Sequence, residues 1–180
     1  MTIDPSPRNR LVVDGAAFQL GLSHAVALWE SLLTPLARSL DLVLLDRGRA
    51  PAVPNATLVP FPSYKSAFAA ADSILLDQTC SHLGADTFVS TTYTTPLRIP
   101  MVLLVDDGEG VGDRRAAPRE RQERELAIHY ACERLCTGRT ARDGLLREFP
   151  SLGPDAVSVC DSTSGHPLPD PNSIAESLLQ

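Results

Sequence analysis

Short apolar runs of strand length alternate along this chain with segments of helical spacing. Leu11–Val13, Leu42–Leu45, Thr57–Val59, Thr87–Ser90, Met101–Val105, Glu133–Thr137 and Ala156–Cys160 read as strands. Between them lie helices over Ala25–Leu40, Ala70–Leu83, Arg119–Tyr130 and Thr140–Phe149. In the first helix Val26, Trp29, Leu32, Leu33 and Leu36 recur near helical spacing, Ser23 can cap the start, and Pro35 kinks it or marks an early end. Gly84 takes the C-cap position of the second. The stretch 51–68 holds Pro51, Pro54, Pro60 and Pro62 and reads as a loop-rich connection, a lid or ligand-facing loop.

Nearly all-apolar strands alternating with helices predict a parallel sheet covered on both faces. The expected fold class is α/β: a single Rossmann-like doubly wound domain, its mostly parallel sheet flanked by helices. Residues 1–10 are expected as a flexible N-terminus and 11–162 as the domain. Residues 163–180 read as a C-terminal loop with a short helix over Ser173–Leu179. In open α/β sheets ligands bind outside the carboxyl ends of the strands, so chemistry is sought there.

Composition narrows the function classes. The 180 residues carry a net charge of -6, which gives no basic footprint for nucleic acid. No apolar run reaches membrane-spanning length, and the polar start MTIDPSPRNR lacks the apolar stretch of a signal peptide. A cytoplasmic protein is the expectation. Arg114, Arg115, Arg119, Arg121 and Arg124 alternate with Glu120, Glu123 and Glu125, a solvated helix face before an anion site. Cys80, Cys132, Cys136 and Cys160 lack zinc-knuckle spacing. A helix ending near Tyr130 and a strand starting near Glu133 keep His129, Cys132 and Cys136 off one face. Buried free cysteines are expected, with no metal and no cofactor.

Five ordered segments carry a resemblance: LVVDGAAFQ, LDLVLLDRG, STTYTTPL, TARDGLLREFP and DAVSVC. In series, from about Leu11 to Cys160, the chain resembles the N-terminal domain of glycosyltransferase family 4. The resemblance implies a GT-B architecture, in which two Rossmann-like domains flank the active cleft. The N-terminal domain mainly receives the acceptor, and the C-terminal domain holds most nucleotide-sugar contacts. No counterpart of that second domain is expected in these 180 residues.

The candidate site residues sit at predicted strand ends. In the first strand-to-helix loop they are Gly21, Ser23 and His24, where the family has a glycine-rich, basic sequence; a plain connecting loop is the alternative. The loop Ser90, Thr91, Thr92, Tyr93, Thr94 and Thr95 offers hydroxyls to a sugar or polyol acceptor, although hydroxyl-rich turns also occur without function. Asp107 matches the family's aspartate and Asp106 replaces its usual His or Tyr. Adjacent residues on an extended segment face opposite sides, so one carboxylate can face the crevice and bind or deprotonate an acceptor hydroxyl. The alternative is a polar strand end entering a turn. Thr137, Arg139 and Thr140 occupy the turn where the family has Ser-Glu. There Arg139 can meet an anion, and either threonine can cap the next helix.

Core segments therefore keep the family pattern while three cleft-facing motifs depart from it. The leading expectation is an acceptor-binding half that is inactive alone and serves as a binding or partner subunit. The second is a split transferase completed by a separate domain. The third is a repurposed enzyme using Asp106, Asp107 and Glu109 for acid–base chemistry or a divalent cation. A homodimer or a partner protein on the face that would meet a second domain is expected in each case.

Overall fold

The computed structural model describes residues 9–106 and 118–159. The described elements are β1 (Arg10–Asp14), α1 (Ala16–Leu20), α2 (Ser23–Ser39), β2 (Asp41–Asp46), β3 (Thr57–Pro60) and α3 (Ala69–Leu83). There follow β4 (Thr87–Ser90), β5 (Met101–Val105), α4 (Pro118–Tyr130), β6 (Glu133–Cys136), α5 (Arg139–Glu148) and β7 (Ser158–Val159). Single 3-10 turns lie at Ser66–Phe68 and Pro154–Ala156. The strands form one seven-stranded sheet in the order β3-β2-β1-β4-β5-β6-β7. Every pairing is parallel, as between Val12 and Val43 or Val12 and Phe88. The architecture is the α/β Rossmann-like fold expected.

Period-two alternation of the strands feeds two cores. Leu11, Val13, Leu42 and Leu44 pack with Leu28, Trp29, Leu32, Leu33 and Leu36 of α2 on one face. Val12, Val43, Leu45, Phe88 and Leu103 pack with Leu76, Cys80, Ile128 and Leu145 of α3, α4 and α5 on the other. Each fully buried leucine contributes about 1.5–3 kcal/mol. That packing explains why Pro35 neither ends α2 nor shortens it: the helix runs through to Ser39, and Leu32, Leu33 and Leu36 are buried around the proline.

Three local readings are corrected. The loop after β1 contains the short helix α1, which shortens the expected connection. Ser23 does not cap α2, because it is the helix's first residue and the N-cap, Leu22, has no side chain able to cap. Cys132 is exposed, unlike Cys80 and Cys136, because it lies in the connector between α4 and β6. Gly84 ends α3 with φ 66°, as read. The region Ser173–Leu179 lies outside the described residues. Among those described, no helix is long and apolar enough to cross a membrane.

Candidate functional site

In a parallel sheet all strand carboxyl ends lie along one edge, and the strand order reverses between β1 and β4. That switch point is where a crevice opens in this architecture. Here its floor is built from the first polar residues after two apolar strands. Asp14 ends β1, and Arg47 follows β2 directly. Both side chains are completely shielded from solvent. Arg47 grips Asp14 with two bonds, Nε to Oδ1 at 2.5 Å and Nη2 to Oδ2 at 3.1 Å. It also grips Asp72, in the first turn of α3, through Nη1 and Nη2, both at 2.8 Å. Its Nη1 further donates to the Pro62 carbonyl at 3.0 Å. The rings of Phe61 and Tyr64 lie 4.7 and 5.6 Å from the guanidinium carbon, within cation–π range.

The electrostatics follow from dryness. Burial pushes the Asp14 carboxyl up from its ordinary range, while the charge and hydrogen bonds of Arg47 and the Thr94 hydroxyl pull it down. For Arg47 burial disfavours the cation, but Asp72 and Asp14 outweigh it and raise its pKa above the usual guanidinium value. The two directions pull against each other for one ion pair. The geometry favours the ionised pair: the guanidinium cannot lose its proton, and both Asp14 oxygens accept from it.

The hydroxyl loop after β4 completes this floor. Because ionised Asp14 only accepts, Thr94 Oγ1 donates to its Oδ2 at 2.5 Å, and Ser90 Oγ then donates to Thr94 at 2.9 Å. Thr91 Oγ1 donates to the Asp14 carbonyl at 2.7 Å and accepts the Ala17 amide at 3.0 Å. Ser90, Thr91, Thr94 and Thr95 are buried. Their hydroxyls are thus engaged within the protein. Thr92 and Tyr93 are half-buried. The Tyr93 ring lies 5.7 Å from the Arg124 guanidinium carbon, and its hydroxyl accepts from Arg124 Nε at 3.3 Å.

The glycines of the first loop have structural work. A Cβ on Gly15 would collide with the Leu45 carbonyl oxygen, to which the Gly15 amide donates at 3.0 Å. Gly21, at φ 66°, closes α1: its amide bonds Phe18 O and that of Leu22 bonds Ala17 O. The Gly21 amide is therefore a cap donor. Ser23 is exposed at the start of α2, and His24 is its second residue.

At the ends of β5 and β6, Thr137 Oγ1 donates to Asp106 Oδ1 at 2.8 Å. This bond, with the backbone N–H of Thr137 on Val105 O at 3.0 Å, joins the two strand ends. Asp106 is buried and Thr137 half-buried. Neither Thr137 nor Thr140 caps α5, whose N-cap is the extended Gly138 without a side-chain bond; Arg139 and Thr140 are exposed in its first turn. Asp107 and Glu109 lie outside the described residues. Among those described, no group of three His, Cys, Asp or Glu could hold a metal.

The structure thus brings Ser90, Thr91 and Thr94 together around Asp14, and Thr137 onto Asp106. Sequence reasoning missed Asp14, Arg47 and Asp72, which hold the centre. A usable signal existed, since Asp14 and the Asp46-Arg47 pair each end an apolar strand and so sit on the ligand edge.

No protein-family model and no curated protein sequence matches the chain. Solved structures do match in fold. The S. aureus MnaA–UDP co-structure aligns with TM-score 0.59 at 14% identity over 85% of this chain and 44% of that one. UDP-GlcNAc 2-epimerase from Neisseria meningitidis bound to UDP-GlcNAc aligns at 0.55 and 13% identity over 84% and 45%. Anabaena Alr3699/HepE in complex with UDP and glucose aligns at 0.54 and 12% over 85% and 44%. The chain spans less than half the length of these proteins, and its fold resembles one half of a GT-B enzyme of this kind.

Proposed function

We propose that this chain is the acceptor-side half of a GT-B protein of the glycosyltransferase family 4 kind, acting as a binding or partner half rather than as a transferase by itself. The observation that carries the reading is the Asp14–Arg47–Asp72 network. Its charges and the Ser90, Thr91 and Thr94 hydroxyls are spent on one another at the switch point. A sugar or polyol ligand then has to be read from the rim. Thr92, Arg139 and Thr140 supply hydroxyls and one cation there, and Asp107 is the candidate carboxylate. Hydroxyl and guanidinium donors suit a polyol that carries an anionic substituent.

A second reading rests on Asp106 and Thr137. The carboxylate end of β5 is braced from β6, and by the family pattern Asp107, next in sequence, is the acceptor-side base of a split transferase. Purification of the native complex, with its mass measured and co-purifying proteins identified, separates the readings. A partner with a nucleotide-sugar-binding Rossmann-like domain supports a split enzyme; mixing the pair should then restore transfer and Asp107→Asn should weaken it. A complex without such a partner supports the binding half. Transfer by the chain alone overturns both.

A further inference from the structure

Tyr64, in the segment between β3 and α3, is held at three points. Its amide donates to Gln19 Oε1 at 2.6 Å and its carbonyl accepts from Gln19 Nε2 at 3.0 Å. Its ring covers Arg47. Its hydroxyl donates to Glu123 Oε2 on α4. The same segment supplies the Phe61 ring and the Pro62 carbonyl to Arg47. Yet it has no regular structure before the 3-10 turn at Ser66–Phe68, and Pro62, Ser63, Lys65, Ala67 and Phe68 are exposed. It spans the Arg47 network with little core of its own.

The two ends of its attachment differ in cost. Glu123 Oε1 is shielded from solvent and has no hydrogen-bond partner among the described residues. A carboxylate oxygen left dry is expensive, so this contact gives back much of what it gains. The next residue is the opposite case. Arg124 holds Glu148 with two bonds, at 2.5 and 3.0 Å, and lies 5.7 Å from the ring centroids of both Tyr93 and Phe149. Arg124 fixes α4 to the helix layer, while Glu123 touches the segment at its least favourable point.

We infer that residues 61–68 form a strap over the Arg47 network, latched to α4 by the Tyr64–Glu123 bond and able to open while α4 and the sheet stay in place. Opening rehydrates Glu123 and removes two rings and one carbonyl from Arg47. It is then the route by which solvent reaches the switch point.

Hydrogen exchange of the full chain, read by mass spectrometry on wild type, Tyr64→Phe and Arg124→Gln, tests it. Tyr64→Phe keeps the ring on Arg47 and deletes only the latch. It should speed exchange of amides in 61–68 roughly tenfold, the Tyr64 and Phe68 amides among them, with β1, β2 and α5 unchanged. Arg124→Gln should speed exchange in α4 and in the strap together, because freeing the anchor also frees the latch. Unchanged exchange in 61–68 of Tyr64→Phe would overturn the strap. So would an equal rise in β1 and β2, which would mean that the segment opens only with the whole fold.

Discussion

Replacing Arg47 by methionine removes the cation at the centre of the switch point while keeping much of its volume. The side chains of Arg47 and Asp14 are 0% exposed and that of Asp72 is 11% exposed. Losing the guanidinium deletes four bonds to carboxylates and one to the Pro62 carbonyl. Asp72 regains some water, but Asp14 is left with a charge in a dry site and with Thr94 as a side-chain donor. Breaking a buried pair from one side costs about 3–5 kcal/mol, a large share of the roughly 5–15 kcal/mol that holds a typical domain. Urea unfolding followed by circular dichroism at pH 7 reads the loss. The variant should recover part of it as pH falls, since an unpaired buried Asp14 holds a proton more readily than in the unfolded chain. Adding Asp14→Asn should likewise recover stability by removing the stranded charge. A loss under about 1 kcal/mol for Arg47→Met, or no recovery by either route, would refute the claim that this ion pair is dry and essential.

Asp46 gives a pH test of opposite sign. Its Oδ1 accepts the Ala50 and Gly48 amides, at 3.0 and 2.7 Å, and these bonds hold its pKa below the ordinary 3.8. A carboxyl depressed in the folded state contributes stability above 3.8 and loses it as pH falls through its folded value. Asp46→Asn should therefore unfold at lower urea at neutral pH, with the gap closing in acid; parallel curves would contradict this. Thiol labelling gives a further check, made in a Cys160→Ser background. Burial pushes the Cys80 thiol up to about 12, with the charges of Asp77 and Asp14 adding to the rise. Peptide mapping after brief alkylation of the native protein at pH 8 should find the exposed Cys132 modified and Cys80 and Cys136 spared.

How much of this was legible follows from the range of each interaction. Strands and helices are set by neighbours within a few residues. Thr87–Ser90, Met101–Val105 and Ala70–Leu83 were therefore readable to within a residue. The switch-point network is not local. Arg47 lies 33 residues from Asp14 and 25 from Asp72, and in sequence its Asp-Arg-Gly-Arg setting looks like an ordinary polar turn. The hydroxyl loop drew attention for a sound chemical reason, yet a hydroxyl's partner is fixed only by tertiary placement. Thr91 and Thr94 turn inward to Asp14 instead of outward. Sequence offers Thr137 both as a helix cap and as a ligand contact, yet it bonds Asp106, because the parallel pairing of β5 and β6 sets the two strand ends side by side.

At the switch point Asp14, Arg47 and Asp72 are paired with one another, and the proposed binding half is expected to transfer no sugar by itself. Incubating the purified chain with UDP-GlcNAc, with and without a sugar acceptor, and quantifying UDP and the sugar products tests it most directly. No product above the protein-free control is expected. Product formation that Arg47→Met or Asp107→Asn abolishes, in protein shown to be folded, would contradict it.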